Sequence, residues 1–253
     1  MAIQVFPVVA ISRPLGVAMR QVTINLTRDG AQTSNEKMVL MMGPTSLAVG
    51  AVFIAHDGVT ASQSFVAAAI DGEWLLTAID SALPKRAAAR LPTISEDVTF
   101  NIDLNDGSGG GGGSPATLDA TLKVDGVPAN RDIVAFERVP SGEWRVAGYG
   151  ATVDGNLDMD LRVAGSGQVY VMAMDDWGTV FQPLLDVAED ELIRPTVFMG
   201  WTYRITQSGQ LPAVEPNWWD DSLQGPQPLG TARAEVHRYY PPQGRGPIPV
   251  ELT

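Results

Sequence analysis

Asp-Gly pairs punctuate this chain at the ends of short apolar runs: Asp29-Gly30, Asp57-Gly58, Asp71-Gly72, Asp125-Gly126 and Asp154-Gly155. The pair tolerates the left-handed backbone that tight hairpin turns demand, so its recurrence predicts strands that fold back on themselves. The intervening segments have strand periodicity. "QVTINLT" (Gln21 to Thr27) alternates polar and apolar; Val98, Phe100, Ile102 and Leu104 share one face of "DVTFNIDLN"; "NLDMDLRV" alternates strictly. Turn signals recur roughly every ten residues, the mark of an all-β chain. The expected fold class is all-β, with several small antiparallel domains in series: a sandwich plus a loop-rich β module. One short helix is predicted, within "DSALPKRAAARLP", bracketed by Pro84 and Pro92.

Eight consecutive Gly and Ser residues, Gly107 to Ser114, can neither hold a helix nor pack a core. Residues 106–115 therefore read as a flexible linker, either natural or an engineered join. The expected organisation is a β-rich domain at 1–105, a β-sandwich at 116–193 and a small loop-rich β module at 194–240. A Pro-rich tail at 241–253 is expected to lie extended over a neighbour, since a stiff segment loses little entropy on docking.

Composition excludes several function classes. The formal net charge is −12 with only 17 Lys and Arg, which argues against a nucleic-acid partner. Cysteine is absent, excluding disulfides and thiolate metal sites, and the two histidines, His56 and His237, lie far apart. No apolar run is long enough to span a membrane, and "MAIQVFPVVAISRP" lacks the features of a signal peptide. Nucleophile elbows, P-loops and H-E-x-x-H are missing, so no enzyme, catalytic residue, cofactor or metal is expected. Asp158 and Asp160 share a strand face opposite Leu157, Met159 and Leu161. That pattern reads as a solvated outer face, with an oxygen-rich calcium site as the alternative.

Two stretches carry a family resemblance. The landmarks Gly126-Val127-Pro128-Ala129, Arg131, Val134 to Arg138, Ser141-Gly142, Asp154-Gly155 and Tyr170 to Asp176 resemble an Ig-like, carboxypeptidase-regulatory-like β-sandwich. That sandwich is found in tailed-phage tail and fibre proteins, where an aromatic-containing segment follows the last strand; Phe181 to Asp186 takes that place here in divergent form. Gly200, Tyr203, Ser208-Gly209 and Glu215-Pro216-Asn217-Trp218 are similar to a chitin-binding-like phage-tail module. The chain departs from that module's Gly-rich closing strand after Trp219. The resemblance covers about residues 116–253. It implies a structural protein of the virion tail (baseplate or tail-fibre attachment), made in the host cytoplasm. Its implied partners are other tail proteins and further copies of itself in a symmetric homo-oligomer.

The alternative is a carbohydrate-binding accessory protein that recognises a host-surface glycan. Trp219, Trp201, Tyr203 and Trp177 are the candidate contacts, with Asp220 or Glu215 bonding hydroxyls, because aromatic rings stack on sugar faces and anchor interfaces. Gly209, Glu215, Pro216 and Trp218 form the structural motif of the module. Neighbouring residues of an extended chain point opposite ways. Trp218 is therefore expected to face inward, and Trp219 outward toward a ligand or partner.

Overall fold

The computed structural model describes residues 16–80, 82, 84–105, 113–165 and 167–253. The chain is nearly all β and forms two compact units, the first of the described residues up to 105 together with 143–145, the second of the remaining ones from 113 onward. Most of the expected linker, residues 106–112, lies outside the described residues. Among the described residues, no helix is long and apolar enough to cross a membrane.

The first unit contains β1 (Met19–Arg28), β2 (Lys37–Met42), β3 (Val49–Ala55), β4 (Thr60–Val66), α1 (Ala67–Ile70), β5 (Gly72–Glu73), β6 (Leu75–Asp80), β7 (Arg86–Arg90), β8 (Thr93–Ile94) and β9 (Val98–Leu104). One sheet has the order β4-β1-β9, antiparallel on one side of β1 and parallel on the other. The second has the order β3-β2-β6-β7, antiparallel throughout. Val22, Ile24 and Leu26 of β1 meet Val39, Phe53 and Leu76 of the second sheet in one buried core. Alternation thus sends one face of β1 inward.

The other face carries Thr23, Asn25 and Thr27, bonded across strands to Ser62, Asn101 and Asp103 at 2.9, 3.0 and 2.7 Å. The expected helix is instead β7, paired with β6 from Leu76↔Arg90 to Asp80↔Arg86. Burial of Ala87 in the sandwich and the free edge of β6 outweigh the helix propensity of an Ala-rich run.

Lys37 is 1 % exposed at the start of β2. Its ammonium donates to the Thr33, Asn35 and Gly58 carbonyls at 3.0, 2.9 and 2.7 Å and to Thr33 Oγ1 at 2.8 Å. Asp80 Oδ2, itself beside Arg28 at 2.7 Å, lies 4.0 Å away. Burial pulls the Lys37 pKa below its usual value, and the Asp80 charge opposes that shift. Gly58 fits here because its φ is +74° and a Cβ would come within 2.2 Å of the Thr33 oxygen.

The second unit contains β10 (Ser114–Thr121), β11 (Lys123–Val124), β12 (Val127–Pro128), β13 (Asp132–Arg138), β14 (Trp144–Ala151), β15 (Asn156–Val163) and β16 (Gln168–Met174). It continues through β17 (Thr179–Val180), β18 (Asp186–Val187), β19 (Leu192–Arg194), β20 (Trp201–Gln207), β21 (Gly209–Gln210), β22 (Gln227–Leu229), β23 (Ala232–Arg238), β24 (Gln243–Pro249) and β25 (Glu251–Leu252). Sheets β15-β10-β25 and β14-β13-β16-β24 enclose a core that includes Leu118, Ile133, Leu157, Met159 and Val169. A third sheet, β17-β19-β20-β23-β22, has its own core around Tyr203 and Ile205.

Three Asp-Gly pairs make two-residue hairpin turns with positive φ at both positions: Asp29-Gly30 (49°, 79°), Asp125-Gly126 (51°, 83°) and Asp154-Gly155 (51°, 74°). The other two differ. Asp57 Oδ1 accepts the Val59 and Thr60 amides, and Asp71 pairs with Arg20 at the end of α1. Asp158 and Asp160 are exposed on β15, opposite buried Leu157, Met159 and Leu161.

Two boundaries shift. Phe181 and Val187, expected with the sandwich, belong to the core of the C-terminal sheet, because β17 pairs with β19 and β18 with β21. The tail is extended, and the neighbour it covers is the sandwich of its own chain. β24 joins β16 in one sheet and β25 joins β10 in the other, with Val250 crossing between them.

Candidate functional site

The segment Glu215 to Asp221 has no regular secondary structure and wraps around Tyr203, which β20 holds at 0 % exposure. The Trp218 and Trp219 rings lie 4.4 and 4.7 Å from the Tyr203 ring, and Phe181 meets Trp218 edge-on at 5.9 Å. Tyr203 OH donates to the Trp219 carbonyl, and burial pushes the phenol pKa up to about 12. Glu215 ties the segment down: Oε1 accepts the Thr196 amide and Trp218 Nε1, both at 2.8 Å, while Oε2 accepts the Thr196 hydroxyl at 2.6 Å. Burial alone would raise the Glu215 pKa, but these donors outweigh it and hold the carboxyl below its usual range.

The expected split of the tryptophan pair does not occur. Opposite orientation requires an extended strand, and this segment instead turns both half-buried indoles toward Tyr203. Tyr203, offered as a ligand contact, faces the core and cannot stack on a sugar. Trp201 is half-buried against the same core. Asp220 is exposed, and its Oδ1 accepts both the amide and the hydroxyl of Ser222; these bonds lower its pKa and make it a turn residue. Pro216 is half-buried within the segment, and Gly209 opens β21 where a Cβ would meet the Ala232 amide at 2.6 Å.

Trp177 belongs to a second aromatic group. Its ring lies 4.5 Å from Phe198 and 4.8 Å from Tyr239, with the Arg194 guanidinium 4.7 Å above it. The aromatic candidate contacts therefore belong to two packed clusters and form no open platform, and Asp220 stands apart from them as an exposed turn residue.

Sequence reasoning missed a polar hub where the tail enters the sandwich. Asp175, its side chain 4 % exposed, accepts the Tyr240 amide at 3.0 Å. Arg131 and His237 approach it at 3.2 and 3.8 Å. Tyr240 OH donates to Asp125 at 3.0 Å, and its ring lies 5.8 Å from the Arg131 guanidinium and 5.5 Å from that of Arg238. Beneath the hub a cavity of about 310 Å³ opens between the sheets, floored by Leu118, Leu157, Val171 and Ile248. "MDDWG" reads only as an acidic turn; nothing local to it signals a partner at Tyr240.

Burial raises the Asp175 pKa, but His237, the Tyr240 amide and Arg131 outweigh it and bring it below the usual carboxylate value. A depressed carboxylate stabilises the fold above its unfolded pKa and loses that contribution as pH falls through the folded value. Acidification below about pH 4 is therefore expected to loosen the tail. Asp175→Asn should do so at neutral pH, measured as faster hydrogen exchange at residues 243–252. Unchanged exchange in both experiments would exclude Asp175 as the anchor.

Among the described residues, no group of three or more His, Asp or Glu side chains is arranged to hold a metal ion. No family model and no curated protein matches the chain. Among solved structures, a DUF3823 family protein from Parabacteroides merdae shares 10 % identity at a TM-score of 0.26, covering 62 % of this chain and 90 % of that one. A streptococcal ancillary pilin shares 10 % identity at a TM-score of 0.25, covering 70 % of this chain and 61 % of the pilin. Similarity at this level carries no functional argument.

Proposed function

We propose that this chain is a structural component of a phage tail tip, in the baseplate or at a tail-fibre attachment. In that role it assembles with other tail proteins and with further copies of itself as a symmetric homo-oligomer, resides in the virion and touches the host surface. It has no catalytic task. The observation that carries the proposal is the use made of Glu215-Pro216-Asn217-Trp218, the landmark similar to the phage-tail module. Glu215 braces Thr196 and Trp218, and Trp218 packs on Tyr203, so the motif acts as an internal strut. The same economy runs through the second unit, where aromatic side chains join strands and hold β-modules rigid. A load-transmitting part of a particle needs such modules more than it needs a reactive group.

The test is negative-stain imaging of virions labelled with an antibody to this chain, together with light-scattering mass in solution. Label at the tail tip and a closed oligomer are expected. Label confined to host debris would remove the proposal.

A further inference from the structure

The solvent face of sheet β4-β1-β9 in the first unit differs from an ordinary exposed sheet face. Such faces in an acidic chain carry long charged side chains, as β15 does with Asp158, Asp160 and Arg162. Here, nearly every outward position on three strands is Ser, Thr, Asn or Gln. Register aligns them in rows: Ser62–Thr23–Thr99, then Thr60–Asn25–Asn101, then Thr27–Asp103.

The rows are wired together, and the wiring leaves specific valences over. Thr60 Oγ1 donates to Asn25 Oδ1 at 3.2 Å, and Asn25 Nδ2 donates to Asn101 Oδ1 at 3.0 Å. That chain ends in the Asn101 amide hydrogens, which have no partner among the described residues. Asp103 Oδ1 accepts Thr27 Oγ1 at 2.7 Å and the Gly30 amide at 2.8 Å. Its Oδ2 is left without a partner among the described residues. Arg90, at the end of β7, has a guanidinium that is likewise unpartnered among them. All three residues line one groove of about 460 Å³, together with Asn25, Thr27 and Thr60 and the apolar Leu26, Val59 and Ile102.

The geometry points to a binding site for a neutral glycan. Asn101 and Asp103 are two apart on one strand, so their side chains stand roughly 7 Å apart on the same face. They present a donor and an acceptor to successive hydroxyls, and Arg90 adds a planar fork suited to a vicinal diol. The Asp103 and Arg90 charges cancel within the groove, which favours a neutral polyol over a phosphate. No large aromatic or aliphatic anchor for a protein partner stands in the outward rows. Because the amides are already held by their neighbours, a ligand has little left to order on binding. The inference stands on the first unit alone and does not depend on the tail-tip proposal.

The test is an array of immobilised neutral glycans probed with the full-length chain, followed by amide NMR titration with maltohexaose, cellohexaose and N-acetylchitohexaose. Array binding and shifts at the Asn25 and Asn101 side-chain amides and the Arg90 Nε–H are expected, with dissociation constants in the millimolar range or below. Asn101→Ala and Arg90→Gln should each weaken binding about tenfold, as loss of one hydrogen bond to a charged or polar group implies. Asp158→Asn on the charged face should leave it unchanged. Silence across the array and the titrations, shifts confined to the tryptophans of the second unit, or full binding by both groove variants would each overturn the site.

Discussion

Lys37→Met should unfold the first unit at a markedly lower urea concentration while leaving the second intact. The substitution keeps most of the volume and removes the charge. The carbonyls of Thr33, Asn35 and Gly58, the last of them buried and the others partly so, then lose their shared donor, while Asp80 keeps Arg28 and the Ala82 amide. Leaving these acceptors without their donor costs about 1–3 kcal/mol, a sizeable part of the 5–15 kcal/mol that holds a typical domain. The measurement is residue-resolved hydrogen exchange through a urea series, because two units invalidate a single two-state fit. A shift of the β2 and β6 amides by less than about 1 kcal/mol would mean that water satisfies the carbonyls as well as the ammonium does.

Tyr203→Ala should produce the largest loss in the second unit, about 3–5 kcal/mol, as for other buried aromatics truncated to Ala. The ring packs against both indoles, whose centroids lie 6.1 Å apart, and Phe181 sits beyond one of them, so the cavity cannot close without moving Trp218 and Trp219. Tryptophan emission should shift to the red as both indoles gain water. Tyr203→Phe separates packing from polarity: it removes only the bond to the Trp219 carbonyl and should cost about 1 kcal/mol with little spectral change. Equal losses from the two variants would mean that the hydroxyl, not the ring, organises the segment.

Strand existence was legible in the sequence wherever one face is buried. β15 alternates without a break in both sequence and burial, and the turns at Asp125 and Asp154 follow from their own residue types. Partnership was not legible. β1 is evidently half-buried, but its polar face gains meaning only from Ser62, 39 residues from its partner Thr23, and from Asn101, 76 residues from Asn25. Likewise, Asp175 becomes an anchor only through Tyr240, 65 residues on. The Trp218–Trp219 pair misled because strand alternation was applied to a segment that is not a strand. The Ala-rich run before Pro92 misled because local propensity yields to an open sheet edge.

The return of β24 and β25 to the sandwich makes the C-terminal sheet an insertion between β16 and β24. Its chain leaves the sandwich just after Asp175 and comes back at Tyr240, and those two residues are hydrogen-bonded at 3.0 Å. Entry and exit therefore share one doorway, the arrangement that lets whole domains be inserted or removed without strain on the host fold. The segment from β17 to β23 is thus a module hung on the sandwich at one point, and His237 at its end helps to fasten that point through Asp175.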